Sequence, residues 1–250
     1  MRLLISFLAV FLPIGGLAVV HLAVHSVSES GTLRLNRWIS TVFASRIFSV
    51  MSAYLGFRFE GNRRSLSALP ERYLVIANHQ SLLDIPLLMR YLGGARLRFV
   101  AKEELARHVP LVSSILKTDR HCLIPRKGSP SRAMKTLDDF ADRVVANDWI
   151  PVLFPEGTRS RDGNLGTFHA AGFRRFLDKA PMPVAVCAIE GGWRVSSLDG
   201  IARGTRGGKY RVEVVGVYPA PAGKADQMRI LEEGKALIRE KLEEWRREGR

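Results

Sequence analysis

Apolar residues fall into three kinds of run along the chain. From Leu3 to Val24 there is no Asp, Glu, Lys or Arg over 22 positions. At about 1.5 Å per residue that stretch reaches the roughly 30 Å of a bilayer core, which predicts a membrane helix. A cleaved signal peptide is the rival reading. The run is longer than a usual signal core, and Ser26, Ser28 and Ser30 make a vague cleavage site, which favours a retained anchor or re-entrant hairpin. After a break at Ser28, Ser30 and Gly31, apolar residues recur at Leu35, Trp38, Ile39, Val42, Phe43, Ile47, Val50, Met51 and Tyr54, the 3 and 4 spacing of a one-sided helix. Such a helix fits a core, and directly behind an apolar anchor it also fits a bilayer interface.

Beyond a linker at Gly61–Pro70 the pattern changes to short apolar runs separated by helical ones. Strands are predicted at Tyr73–Ala77, Arg98–Ala101, Cys122–Pro125, Ile150–Phe154, Val184–Ile189 and Tyr210–Val217. Helices are predicted at Leu82–Tyr91, near Glu103–Lys117, at Pro130–Asn147 and around Gly172–Lys179. Ser129 and Pro130 supply an N-cap and an N1 proline. A closing helix carries Leu231, Gly234, Ile238, Leu242 and Trp245 on one side. This alternation predicts an α/β fold, a mixed but largely parallel sheet flanked by helices, behind an N-terminal membrane-associated segment. The expected division is an anchor with its amphipathic helix at 1–55 and an α/β domain at 56–250.

Composition narrows the function classes. The 250 residues are 46% hydrophobic and 25% charged, which argues against a disordered chain. With 38 Lys and Arg against 24 Asp and Glu, the formal charge of +14 predicts an anionic partner: nucleic acid, acidic phospholipid, a phosphorylated substrate or an acidic carrier protein. Cys122 and Cys187 lie 65 residues apart without CxxC spacing and read as buried reduced thiols. Arg34, Arg37 and Arg46 follow the first apolar run while Arg2 alone precedes it, so the positive-inside rule puts the large C-terminal part in the cytoplasm.

Two constellations sit where predicted strands end, the place at which open α/β sheets present side chains to ligands. The first is Asn78-His79-Gln80-Ser81-Leu82-Leu83-Asp84. A neutral imidazole takes a proton from an alcohol when a carboxylate holds its other ring nitrogen, and His79 with Asp84 could form that pair. Five residues turn an ideal helix by about 500°, so the two meet only if His79 lies in the turn before the helix. Ser81-x-x-Asp84 is also a capping box, in which Asp84 only satisfies backbone donors. The second is Phe154-Pro155-Glu156-Gly157-Thr158-Arg159-Ser160-Arg161. There Pro155 and Gly157 mark a tight turn, Glu156 offers an acceptor and Arg159 a planar fork suited to phosphate. A solvated turn accounts for that composition too. Lys102 and Arg126 follow two further strands, either as surface charges or as extra cations around one anionic ligand. No G-x-S-x-G, GxxxxGK[ST], GxGxxG or HExxH occurs, and the remaining histidines have no metal-ligand spacing. No cofactor or metal is therefore expected.

Taken together, Asn78-His79-x-x-x-x-Asp84 and, about 70 residues on, Phe154-Pro155-Glu156-Gly157-Thr158-Arg159 resemble the blocks of the glycerolipid acyltransferase family. The resemblance extends over about 56–220, through Lys102-Glu103-Glu104-Leu105, Pro110, Ile124–Arg126 and Pro183-Val184. The chain departs from the family pattern at His169, where lysine is common, at Ser113-Ser114, where glycine is often found, and loosely over Met182–Glu190. The family implies transfer of a fatty acyl group from a thioester, on coenzyme A or acyl carrier protein, to the free 2-hydroxyl of a lysophosphatidate-like acceptor. It implies His79 as base and Asp84 as its orienting carboxylate. Glu156, Gly157 and Arg159 would hold the glycerol phosphate, with Lys102 and Arg126 adding charge. The partners it implies are a lysolipid, the thioester donor and the cytoplasmic face of the membrane, and not nucleic acid. Another lysolipid acceptor, such as a lyso-aminolipid, and a non-catalytic anionic-lipid or nucleic-acid binder are the competing expectations.

Overall fold

The computed structural model describes residues 2–39, 48–49, 52–53, 56–92, 94, 96–108, 112–125, 129–196 and 208–248. Two helices come first, α1 (Arg2–Val27) and α2 (Glu29–Trp38). The break between them is Ser28 alone, whose side chain accepts a hydrogen bond from the Gly31 backbone N–H and so starts α2 earlier than the Ser and Gly pattern suggests. Most of the amphipathic pattern after Ile39 lies outside the described residues. Among the described residues no helix is long and apolar enough to cross a membrane.

The body is a seven-stranded sheet built from β1 (Arg58–Gly61), β2 (Leu74–Ala77), β3 (Leu97–Lys102), β4 (Cys122–Ile124), β5 (Ile150–Leu153), β6 (Val184–Glu190) and β7 (Lys209–Tyr218). The order is β1-β7-β6-β2-β5-β3-β4, parallel throughout except for the antiparallel β6–β7 pair. The register of that pair slips between Val186 and Cys187, where Val215 is left as an extra residue. β1 and a 3₁₀ turn at Arg63–Ala68 occupy what reads in the sequence as the end of one segment and a linker.

Helices cover both faces. β2, buried at every position, sends Val75 and Ala77 to one side, where they meet Leu87 and Leu88 of α3 (Asp84–Leu92). It sends Leu74 and Ile76 to the other, against Leu137 and Phe140 of α6 (Pro130–Asn147), Phe176 of α7 (Ala170–Lys179) and Ile230 and Leu242 of α8 (Lys224–Glu248). This two-sided burial is why the central strands read as continuous apolar runs. Of the helix expected near Glu103–Lys117 the described residues form α4 (Leu105–His108) and α5 (Val112–Thr118), and 109–111 between them lie outside the described residues. Both cysteines are buried and unpaired, and burial pushes their thiols up to about 12.

Candidate active site

The C-terminal ends of β2, β5 and β6 meet at one rim. Asn78 follows β2 and continues its pairing with side-chain atoms: its Nδ2 donates to the Ile189 carbonyl and its Oδ1 accepts from the Ile189 N–H, each at 2.8 Å. The chain then turns, with His79, Gln80 and Ser81 lying before α3. That turn is what lets His79 reach back to the first residue of the helix. His79 Nδ1 lies 2.7 Å from Asp84 Oδ2, and the same oxygen accepts the Gln80 and Ser81 backbone N–H groups at 2.7 and 2.9 Å. Ser81 Oγ in turn accepts from the Leu83 N–H. The two sequence readings of Asp84 are thus not alternatives: one carboxylate caps the helix and orients the imidazole. Because Asp84 only accepts when ionised, Nδ1 is the protonated ring nitrogen and Nε2 is left with a free lone pair.

One face of the ring is fixed as well. The imidazole stacks on Phe154 at a centroid distance of 4.1 Å and an interplanar angle of 16°. The His79 backbone is held from the second constellation at both ends, since its N–H donates to Glu156 Oε1 at 2.8 Å and its carbonyl accepts the Ser160 N–H at 2.7 Å. Glu156 Oε2 accepts the Gly166 N–H, also at 2.8 Å. Glu156 is buried with both oxygens on backbone donors, so it ties the two blocks together and does not line the cavity beside them. Burial raises its carboxyl above the usual range, against the lowering effect of those two hydrogen bonds. Gly157, at φ +62°, turns the chain through the left-handed region and leaves Arg159 exposed beyond it.

A cavity of about 350 Å³ opens beside His79. Its lining grades from exposed Gly157, Thr158, Arg159 and His169 to the buried side chains of Leu137 and Phe173, with Leu82, Ile85, Met134 and Phe154 between. Lys102 lines it too. Arg126 lies outside the described residues, so the sequence expectation for it stands apart from this geometry. His169 stands at the N-terminus of α7 without a side-chain capping bond, and its imidazole comes within 3.9 Å of where a Cβ on Gly157 would sit. No group of His, Cys, Asp and Glu among the described residues is arranged to hold a metal ion.

The sequence patterns assign no role to three members of the cluster. Gln80 is fully buried, and its Oε1 accepts the Gly192 N–H at 2.9 Å while its Nε2 donates to Glu190. Phe154 supplies the stacking face for His79. Tyr210, on β7, donates its hydroxyl to Asp84 Oδ1. The polar residues adjoining His79 were signal enough for Gln80, but a tyrosine inside an apolar strand run looks like any core residue.

A family model described as Acyltransferase matches residues 58–190. Over 130 residues the chain is 32% identical to a 1-acyl-sn-glycerol-3-phosphate acyltransferase of Cocos nucifera, a match covering 51% of this chain and 41% of that protein. It is 35% identical over 122 residues to 1-acyl-sn-glycerol-3-phosphate acyltransferase beta of Homo sapiens, covering 48% and 42%. The match thus spans less than half the length of these relatives. Among solved structures, the 1-acyl-sn-glycerophosphate (LPA) acyltransferase PlsC from Thermotoga maritima is similar with a TM-score of 0.63 and 21% identity, over 96% of this chain and 91% of that one. At that identity the likeness is one of fold.

Proposed function

The chain belongs to the acyltransferase family, and from that premise we propose that it moves a fatty acyl group from an acyl thioester to the sn-2 hydroxyl of 1-acyl-sn-glycerol-3-phosphate, giving phosphatidic acid. The observation that carries this reading is the His79–Asp84 pair standing at the edge of a cavity that is cationic at one part of its wall and apolar over most of the rest. His79 Nε2 takes the proton of the acceptor hydroxyl as its oxygen attacks the thioester carbonyl, and Asp84 stabilises the imidazolium that forms. Collapse of the tetrahedral intermediate breaks the carbon–sulfur bond, and the departing thiolate recovers the proton from His79. A thioester already carries a good leaving group, so alignment and a base suffice and no covalent enzyme intermediate is required.

Arg159 and Lys102, on the cavity wall, supply the charge for the acceptor phosphate, and Arg126 joins them by the family resemblance alone. Glu156 acts as the strut that sets the distance between the phosphate-facing turn and the base. The buried apolar end of the cavity suits a hydrocarbon chain. The donor is acyl-CoA or acyl carrier protein.

The enzyme works at the cytoplasmic face of the membrane, held there by α1 and α2. What supports this is a reversal of polarity in that pair. His21, Thr32 and Asn36 are buried between helices, while Leu12, Val19, Leu22, Val27 and Trp38 are exposed. Three polar side chains sealed at the helix contact, with apolar ones exposed and Arg34 and Arg37 beside them, suit the boundary between hydrocarbon and lipid headgroups.

The test is a panel in detergent, with acyl-CoA and acyl carrier protein as donors and lysophosphatidate, a lyso-aminolipid and glycerol 3-phosphate as acceptors. Thiol release matched by phosphatidic acid formation is the expected result. Turnover with the lyso-aminolipid alone would change the acceptor. Failure of the wild-type protein to consume either thioester with any lysolipid would remove the enzymatic reading and leave an anionic-lipid binder.

A further inference from the structure

Asp84 has two oxygens and only one of them faces His79. Oδ2 is saturated by the imidazole and two backbone N–H groups. Oδ1 accepts the hydroxyl of Tyr210, a residue 126 positions further along the chain. Both side chains are fully buried. Tyr210 lies beyond the stretch 58–190 matched by the family model and contributes through β7, the strand that runs antiparallel to β6.

The ring has no freedom to leave. Phe57 meets it edge-on at 6.3 Å, and Phe59, its register partner on β1, packs at 5.8 Å. On the remaining side the backbone of Gly192 closes over the pair, so near that a Cβ there would stand 2.6 Å from the tyrosine oxygen and 2.9 Å from Asp84 Oδ1. Burial first, and the Asp84 charge second, push the Tyr210 phenol well above its ordinary range, which keeps it a neutral donor at any working pH. A carboxylate held by donors on both oxygens cannot rotate about its Cβ–Cγ bond, and that rotation is what would carry Oδ2 away from His79 Nδ1.

We infer that Tyr210 is a positioning residue of the catalytic pair: its hydroxyl locks the Asp84 carboxylate in the plane that presents Oδ2 to His79. The inference deepens the acyltransferase reading and rests on it for its kinetic consequence, though not for its structural one. The plain alternative is a core tyrosine that found a convenient acceptor. In that case its loss lowers stability while the folded molecules turn over as before.

The variant that separates the two is Tyr210→Phe, compared at equal folded fraction. A hydrogen bond to a charged group is worth enough to predict a fall in kcat of about 10- to 100-fold, with KM for donor and acceptor changed less than about twofold. The Nδ1-bound proton of His79, assigned by its loss in His79→Gln, is expected to shift in the NMR spectrum. Tyr218→Phe, at the far end of the same strand, should leave both unchanged. Should Tyr210→Phe not fold, Gly192→Ala pushes a methyl group against both the hydroxyl and the carboxylate oxygen, forcing them to shift, and should reproduce the kinetic and spectral change. An unchanged kcat, or a reduced kcat with the His79 resonance unmoved, overturns the inference. If wild type proves inactive with every thioester, the acyltransferase reading falls, and the resonance alone decides whether Tyr210 holds the pair.

Discussion

The strand-end site and the N-terminal helix pair both bury polar side chains, but they enclose them in opposite ways. At the site, Asn78, Gln80, Asp84 and Glu156 are tethered mainly to backbone N–H and carbonyl groups of neighbouring strands and turns, and the apolar core of a seven-stranded sheet lies beneath them. At the contact of α1 and α2 the buried side chains include three polar ones, His21, Thr32 and Asn36, while Glu29, Arg34 and Arg37 stay exposed. His21 is 2% and Asn36 0% exposed, bonded to each other, while Leu22 is 70% and Val27 86% exposed. In water the second arrangement gains little from the hydrophobic effect, because its apolar side chains stay wet. The difference separates a site whose polar groups stand on a buried apolar core from a helix pair whose exposed apolar side chains are the ones that would meet the bilayer proposed above.

The contrast is broken most severely at the base. His79→Ala should reduce turnover by about 10³- to 10⁴-fold, the upper range for removal of a general base, while the folded structure and vesicle binding survive. Single-turnover measurement with saturating thioester and lysophosphatidate checks it. Retained turnover would strip the strand-end region of its proposed chemistry and leave only a lipid-binding protein.

A charge on the outer side of the helix pair should do the reverse, abolishing attachment and sparing chemistry. Placing a charged residue in hydrocarbon costs about 2.5–3.5 kcal/mol. Leu22→Asp is therefore expected to weaken binding to phosphatidylglycerol-containing vesicles by about 100-fold in a sedimentation assay. Its kcat with a short-chain acceptor below its micellar concentration should stay at the wild-type level. Unaltered sedimentation would mean that the exposed apolar residues face something other than lipid.

How far the sequence carried these assignments differs between the regions for a physical reason. The helix Pro130–Asn147 was legible to the residue, because an N-cap serine, an N1 proline and a one-sided apolar stripe are local signals; Ser129 Oγ does accept from the Arg132 N–H. The His79–Asp84 pair was legible for the same reason, lying within one turn. β1 was not, since four residues carrying Arg58 and Glu60 become a strand only by pairing with β7 about 150 positions later. Nor was the orientation of Glu156: spacing put it at the rim, but nothing local says that its oxygens turn inward to the His79 and Gly166 amides. Tyr210 shares that silence, as its partner is known only once β7 is placed. In α1, the apolar run announced a helix, yet the polar seam at His21 and Asn36 depends on how two helices meet.

A smaller effect is expected from Glu156→Gln. The amide keeps one acceptor but turns its NH₂ toward the other backbone donor, and an unsatisfied buried donor costs about 1–3 kcal/mol. Turnover should fall about tenfold as the two blocks loosen. Stability should change less at neutral pH, because the wild-type carboxyl, raised by burial, releases its proton later in the folded than in the unfolded protein. Ionising it therefore costs stability as the pH climbs through the ordinary Glu range, a cost absent in the variant. Denaturant titrations of both proteins across that range read the slope directly, and parallel curves would show Glu156 to be indifferent to its charge.

The smallest effect belongs to the seam of the helix pair. Asn36 Oδ1 faces His21 Nε2 at 2.5 Å, and Asn36 Nδ2 donates to Asp119 Oδ1 at 3.3 Å, so one side chain joins α1, α2 and the residue just past α5. Leucine has nearly the same shape and neither bond. Burial is the main force raising the Asp119 carboxyl, and the Asn36 hydrogen bond opposes it. With a folded value above the unfolded one, the folded state keeps its proton to higher pH, so stability is lost as pH rises through the carboxylate range. Below the unfolded value both states are protonated and that loss disappears. Asn36→Leu removes one of the bonds that soften it, and should cost about 1 kcal/mol near neutral pH and clearly less near about pH 4. Urea unfolding at the two pH values measures the difference. A loss of equal size at both would place the whole effect on the His21 contact and detach Asp119 from the seam, leaving α1 and α2 to be held on the body by apolar packing instead of by polar interior bonds.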